Sequence, residues 1–399
     1  MTMATKTRRS AALACALLLA GGTVTAAPAP AAAAAGWEVR EMGVDRAHAS
    51  GKGEGVTVAV LDTGIVTDHP DLGGRATEGR DMFGEDVSGE PWYGEHGTSM
   101  AGSVHTVAPD ARIVGYRVLR EPGDPKYTED LDPAYEVGEG EELDPMAAGI
   151  VEAVNEGADV ISLSLGDSGL LLQGFDTGVA WAVEQAAANG VVLVASAGNE
   201  GDEGDGAIGF NEISYPAAYP GVIAVAASTP SGGRADFSQV HNYVDVAAPG
   251  VEIESAKNTG GRETVQGTSS AAALTAGVVA LIRAQNPDPA PRQVADILRS
   301  TASQGGSHDP MIGHGVIDAE AAVALAAETE PEDRLIAPAA YDGPAHFGPG
   351  DDGTPASVKV GYDTGDMLFG AVFAVPGLLA ATVGLGLVIS AMRAKRARA

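Results

Sequence analysis

The sequence predicts a doubly wound α/β fold, a mainly parallel sheet with helices on both faces. Three observations carry that expectation. Five short apolar runs, at residues 56–61, 113–119, 160–165, 191–196 and 222–227, are rich in Val, Ile, Leu and Ala without polar alternation, as strands buried on both faces are. Segments with helical apolar spacing lie between and after them, at 146–156, 177–189, 270–285, 291–302 and 318–327, and the alternation is that of βαβ units. The chain has 399 residues, 45% of them hydrophobic, with 54 glycines and only 5% aromatics. That is enough apolar material for one large core packed from small side chains.

The N-terminal end reads as an address. Lys6, Arg8 and Arg9 precede an apolar stretch from Ala11 to Ala20, and Val24, Thr25 and Ala26 suit a signal peptidase, so residues 1–26 are expected to be a secretory signal peptide. Cys15, the only cysteine, lies inside that stretch, and the mature chain should therefore rely on its core, with no disulfide, outside the cell. The strand at 56–61 delivers Asp62 at its carboxyl end. The strand at 113–119 is followed by residues 121–144, rich in Asp, Glu, Pro and Gly, which are expected to form an exposed, solvated insertion; they lack the fixed ligand spacing of a calcium loop. The helix at 177–189 ends before Gly190, a suitable C-terminal cap.

Past the last helix, residues 328–366 are rich in Pro, Gly and Asp and read as a spacer. Residues 367–392 carry no charge and are long enough to cross a bilayer with some tilt. Arg393, Lys395, Arg396 and Arg398 follow in the tail 393–399, so the positive-inside rule places that tail in the cytoplasm and the folded part outside the plasma membrane. The formal net charge is -30. Neither end segment holds an acidic residue, so the excess lies between them. Such a surface repels nucleic acid, excludes it as a partner, and attracts cationic peptides or counterions.

Three segments carry candidate chemistry: Asp62 within residues 58–64, Val-Ala-Val-Leu-Asp-Thr-Gly; His96 within 95–102, Glu-His-Gly-Thr-Ser-Met-Ala-Gly; and Ser269 within 266–273, Gln-Gly-Thr-Ser-Ser-Ala-Ala-Ala. A carboxylate at the carboxyl edge of a parallel sheet faces the usual crevice. A serine at a helix start has unpaired N–H groups beside it, which favour an oxyanion. Asn199, in Ser-Ala-Gly-Asn-Glu-Gly at 196–201, follows another buried strand and could supply a second oxyanion donor. Taken singly each has an ordinary explanation: a strand-ending turn, a structural histidine, a helix-capping serine, a turn asparagine. Together they outline a Ser-His-Asp hydrolase.

With these residues, and with the motifs at 158–166, 215–221, 246–250 and 313–319, the chain resembles the subtilases across about residues 37–327. The resemblance implies a subtilisin-like peptidase domain acting on proteins or peptides; the residues mark no cofactor and no metal ligand set. Ser269 would be the nucleophile, His96 the base that later protonates the leaving amine, and Asp62 the group that fixes the imidazole. Asn199 would share the oxyanion with the Ser269 N–H, and Ser164, Leu165 and Gly166 would pair with substrate backbone. Two departures stand out. Ser270, Ala271 and Ala273 replace the usual Met, Ala and Pro behind the nucleophile, which implies altered packing. Ser99 replaces a second histidine, which changes the pocket on that side.

The short stretch between the signal and Trp37 leaves little room for an inhibitory propeptide. With the spacer and the C-terminal anchor, this resembles the mycosins, membrane-anchored subtilases of type VII secretion, and implies secretion-system components as partners. A catalytically inactive, membrane-anchored peptide-binding pseudoprotease is the alternative.

Overall fold

The structure, a computed structural model, describes residues 36–127, 135–137, 141–166, 175–201, 211 and 213–332. The expected signal peptide, the transmembrane segment, the basic tail and nearly all of the spacer lie outside the described residues. Two short helices, α1 (Trp37–Glu41) and α2 (Val44–Ala47), lead into β1 (Thr57–Asp62) and β2 (Ala76–Asp81). Helix α3 (Glu95–Val107) is followed by β3 (Arg112–Arg117) and a small hairpin, β4 (Tyr135–Val137) with β5 (Glu141–Leu143). Then come α4 (Pro145–Asn155), β6 (Val160–Leu163), α5 (Thr177–Ala188), β7 (Val192–Ser196), β8 (Val222–Ser228) and β9 (Val244–Pro249). A second hairpin, β10 (Ile253–Ala256) with β11 (Arg262–Val265), precedes α6 (Thr268–Gln285), α7 (Pro291–Thr301) and α8 (Ala319–Glu328).

Seven strands form one sheet in the order β2-β3-β1-β6-β7-β8-β9, and every neighbouring pair is parallel. Successive side chains along β1 go to opposite faces. Val58 and Val60 join a core cluster with Met100 and Val104 of α3 and Leu274 of α6. Ala59 and Leu61 join another with Ile150 of α4 and Val183 of α5. The same alternation carries Asp62, two residues after Val60, to the face on which α3 and α6 begin.

Helix α6 runs through the middle of its layer, and every residue from Ser270 to Arg283 is buried. The small residues behind Ser269 are what permit this: Ser270 is 1% exposed and Ala271, Ala272 and Ala273 are fully buried, so the departure expected to alter packing fills its space. A Cβ added at Gly277 would stand 2.6 Å from the Val107 Cβ and 3.1 Å from the Val104 carbonyl oxygen. Gly277→Ala would gain about 1 kcal/mol of helix propensity, but overpacking of about 1–3 kcal/mol outweighs it. A lower thermal midpoint is therefore expected, and calorimetry would show it.

The expectation of an exposed insertion at 121–144 is corrected at its start, where Glu121 is 4% and Asp124 6% exposed. Asp124 is held down by cations from the strand before it. The Arg117 side chain, fully buried, pairs with Asp81 at 2.8 Å, Glu85 at 3.0 Å and Asp124 at 2.6 Å. Arg120 joins Glu85 and Asp124 and lies over the Phe83 ring. Buried charges persist only when paired in this way. At the other end of the segment Asp144 caps α4, accepting from Met146 N at 2.8 Å.

Candidate active site

Strand β1 ends on Asp62, which is fully buried. Thr63 N donates to Asp62 Oδ1 at 2.8 Å, and the two carboxylate oxygens lie 2.9 and 3.0 Å from His96 Nδ1. The pair can form because α3 starts hard against the Asp62 turn. A Cβ at Gly97 would stand 2.0 Å from the Gly64 carbonyl oxygen, so only glycine can follow His96 there. Gly64 itself has φ +93, with the Tyr93 ring where a side chain would be.

A carboxylate accepts only, so Nδ1 carries the proton and Nε2 is left as the acceptor. Burial opposes a charged imidazole, but the Asp62 charge, the hydrogen bond that Nδ1 donates to it, and beyond these Glu121, outweigh burial and push the His96 pKa up to about 9.

Ser269 is the second residue of α6. Gly267 caps that helix with φ 150 and no side-chain hydrogen bond, leaving the first-turn amides for another acceptor. Ser269 Oγ donates to the Ser164 carbonyl at 3.1 Å, and Ser164 Oγ donates to the Ser269 carbonyl at 3.0 Å. Among the described residues no hydrogen bond joins Ser269 Oγ to His96, although both line one cavity of about 780 Å³.

Asn199 lies on the same wall. Its Oδ1 accepts from Thr268 N and from Thr268 Oγ1, both at 2.9 Å. An N–H must face an oxygen, so this fixes the amide and leaves Nδ2, among the described residues, with no hydrogen-bond partner. Beyond β6 the chain leaves the sheet, and Ser164, Leu165 and Gly166 line the cavity instead of extending the strand. Ser214 also lines it, its Oγ 2.6 Å from where a Gly166 Cβ would stand. Ser99 occupies the wall below His96 and is 2% exposed.

One residue of the site carries no signal in the sequence. Glu121 Oε1 accepts from Thr63 Oγ1 at 2.6 Å and from His96 N at 2.5 Å; it sits in an acid-rich stretch where nothing marks one carboxylate as the buried one. Among the described residues no group of three or more His, Cys, Asp or Glu converges as metal ligands.

A family model described as the Subtilase family matches residues 53–315. Subtilisin DY of Bacillus licheniformis is 35% identical over 292 residues, which is 70% of this chain and 94% of that one. The solved structure of the MycP3 protease from the type VII (ESX-3) secretion system is similar at a TM-score of 0.60 and 29% identity, covering 74% of this chain and 90% of the other. MycP1 from Mycobacterium smegmatis is similar at 0.60 and 26%, covering 77% and 88%.

Proposed function

The chain belongs to the subtilase family and is a serine endopeptidase, and on that premise we propose that it cuts through an Asp62-His96-Ser269 triad. The observation that carries this reading is the Asp62–His96 pair, whose imidazole lines a single cavity with Ser269 and Asn199. Ser269 Oγ attacks the scissile carbonyl carbon while His96 Nε2 takes its proton. Asp62 holds the ring and balances the imidazolium. The oxyanion lies between Asn199 Nδ2 and the Ser269 N–H. His96 then protonates the leaving amine, an acyl-enzyme forms, and water attacks by the same route in reverse. Ser269 must first turn about Cα–Cβ, away from Ser164 O. A substrate backbone N–H pairing with that carbonyl would release the hydroxyl for His96.

A fluorophosphonate probe tests the reading. The wild type is expected to be labelled, and Ser269→Ala to lose all label and all turnover of an unstructured peptide library. An unlabelled wild type that turns over nothing would return the chain to the class of peptide-binding pseudoproteases.

We further propose that the domain works outside the plasma membrane, tethered by residues 367–392, as a processing enzyme beside a type VII secretion channel. The likeness to mycosin structures supports this, as do the uncharged segment and the basic tail after it. The described residues include no helix long and apolar enough to cross a membrane. Recovery of the full chain in a membrane fraction resistant to alkaline washing, with the domain open to added protease on whole cells, is the expected result.

A further inference from the structure

We propose that Glu121 is a positioning residue for proton transfer: from the segment after β3 it holds the backbone of His96 in place and sets a second carboxylate beside the residue that bears the base. This rests on His96 being the general base.

The first turn of α3 has no side-chain cap of its own. Gly94, the residue before it, adopts φ 63 and offers no side-chain cap, so the amides of His96 and Gly97 have no partner within the helix. Both are capped from elsewhere. Gly97 N donates to Thr63 Oγ1 at 3.1 Å, and His96 N donates to Glu121 Oε1 at 2.5 Å. Thr63 Oγ1 in turn donates to the same Oε1 at 2.6 Å, while Thr63 N donates to Asp62. One carboxylate oxygen thus ties the residue after Asp62 to the residue bearing the base, and sets the angle at which ring and Asp62 meet.

The charge matters beside the geometry. Two donors converge on Oε1, which is the arrangement of an ionised carboxylate. Burial, the largest effect, and the nearby Asp62 charge raise the Glu121 pKa above its ordinary value, and the Thr63 and His96 hydrogen bonds with a charged His96 offset only part of that rise. Around the imidazole, Asp62 comes from β1, Glu95 from the start of its own helix, and Glu121 from beyond β3. The first turn of α6 contributes only uncharged residues. On the far wall Glu200 accepts from Gln239, and Glu263 lines the cavity from β11. The cation next to Glu121, Arg120, is held by Glu85 and Asp124. Asp62 and Glu121 are therefore the buried anions that can balance the imidazolium formed as Ser269 loses its proton.

A merely structural cap needs an acceptor; the proposed role needs the charge. Glu121→Gln separates them, because the amide oxygen keeps both hydrogen bonds. In the full chain, with Ser269→Ala to prevent self-cleavage, NMR titration of the His96 ring is expected to move down by about half a unit to one unit in the Gln variant. On the active protein the acid limb of kcat/KM moves by the same amount, and kcat falls about 3- to 10-fold with KM unchanged, as weaker balance of the imidazolium requires. An unmoved titration and an unmoved limb would overturn the inference and leave a structural cap. If the Gln variant does not fold, the unsubstituted chain decides: the Glu121 carboxyl carbon is expected to inflect at the pH where His96 titrates, and a flat response there overturns the coupling. A wild type that neither labels with fluorophosphonate nor cuts peptides would overturn the triad reading itself, a result separate from the NMR coupling.

Discussion

Asp62→Asn is expected to lower kcat by about four orders of magnitude while leaving the fold in place, on the scale that this replacement has in other Ser-His-Asp enzymes. With both oxygens of Asp62 about 3 Å from His96 Nδ1, an amide NH2 must take one of those places, and Thr63 N already claims Oδ1. The NH2 donates toward Nδ1, so the ring proton moves to Nε2 and the atom that should accept from Ser269 no longer can. Single-turnover kinetics on an activated ester would read this as a loss in acylation.

The pH dependence follows from the same pair. The base must be neutral, and the His96 pKa is pushed up to about 9. In the wild type kcat/KM should therefore climb with pH and level only above about 9. In Asp62→Asn the residual activity should level nearer the ordinary value of about 6.5. Stability runs the opposite way. A folded pKa above the unfolded one means that protonated His96 stabilises the fold fully below about 6.5, and the contribution is lost as pH rises through about 9. Thermal midpoints of the wild type should fall across that window, and those of the Asn variant should be flatter.

What was legible in the sequence was what local physics writes into it. The five apolar runs became central strands because burial on both faces excludes polar alternation, and the glycines after Asp62 and His96 mark the close approach that only a missing Cβ allows. Strand β2, Ala-Thr-Glu-Gly-Arg-Asp, escaped because an edge strand half in solvent carries no apolar run. Strand β9 escaped because Asp245 interrupts it; that carboxylate is paired with Arg299 at 2.7 Å and accepts from Ala224 N, partners far away in sequence. Glu121 was hidden for the same reason. Burial of a charge is decided by partners brought from other elements, and a run of acidic residues looks solvated until they are known. The orientation of Ser269 toward Ser164, not His96, is likewise a matter of one side-chain torsion that no motif encodes.

Asn199→Ala should cost kcat about 10²- to 10³-fold with little change in KM, because Nδ2 is a donor aimed at charge that exists only in the transition state. The side chain has a second task. Its Oδ1 accepts from Thr268 N and Thr268 Oγ1, and Thr268 Oγ1 accepts from Gly198 N at 3.3 Å, so the amide also caps the first turn of α6, which the glycine at its head cannot cap. Losing such a cap typically costs about 1 kcal/mol, and a drop in kcat could then reflect a displaced Ser269. Asn199→Asp removes the ambiguity. One carboxylate oxygen keeps both Thr268 contacts, and a negative charge at the head of α6 is favoured by the helix dipole, so the thermal midpoint should stay at or above that of the wild type. The other oxygen replaces a donor with an anion facing the oxyanion, so kcat should fall further than in the alanine variant. A stable Asp variant with activity above that of Ala would mean that Asn199 serves α6 and not the oxyanion.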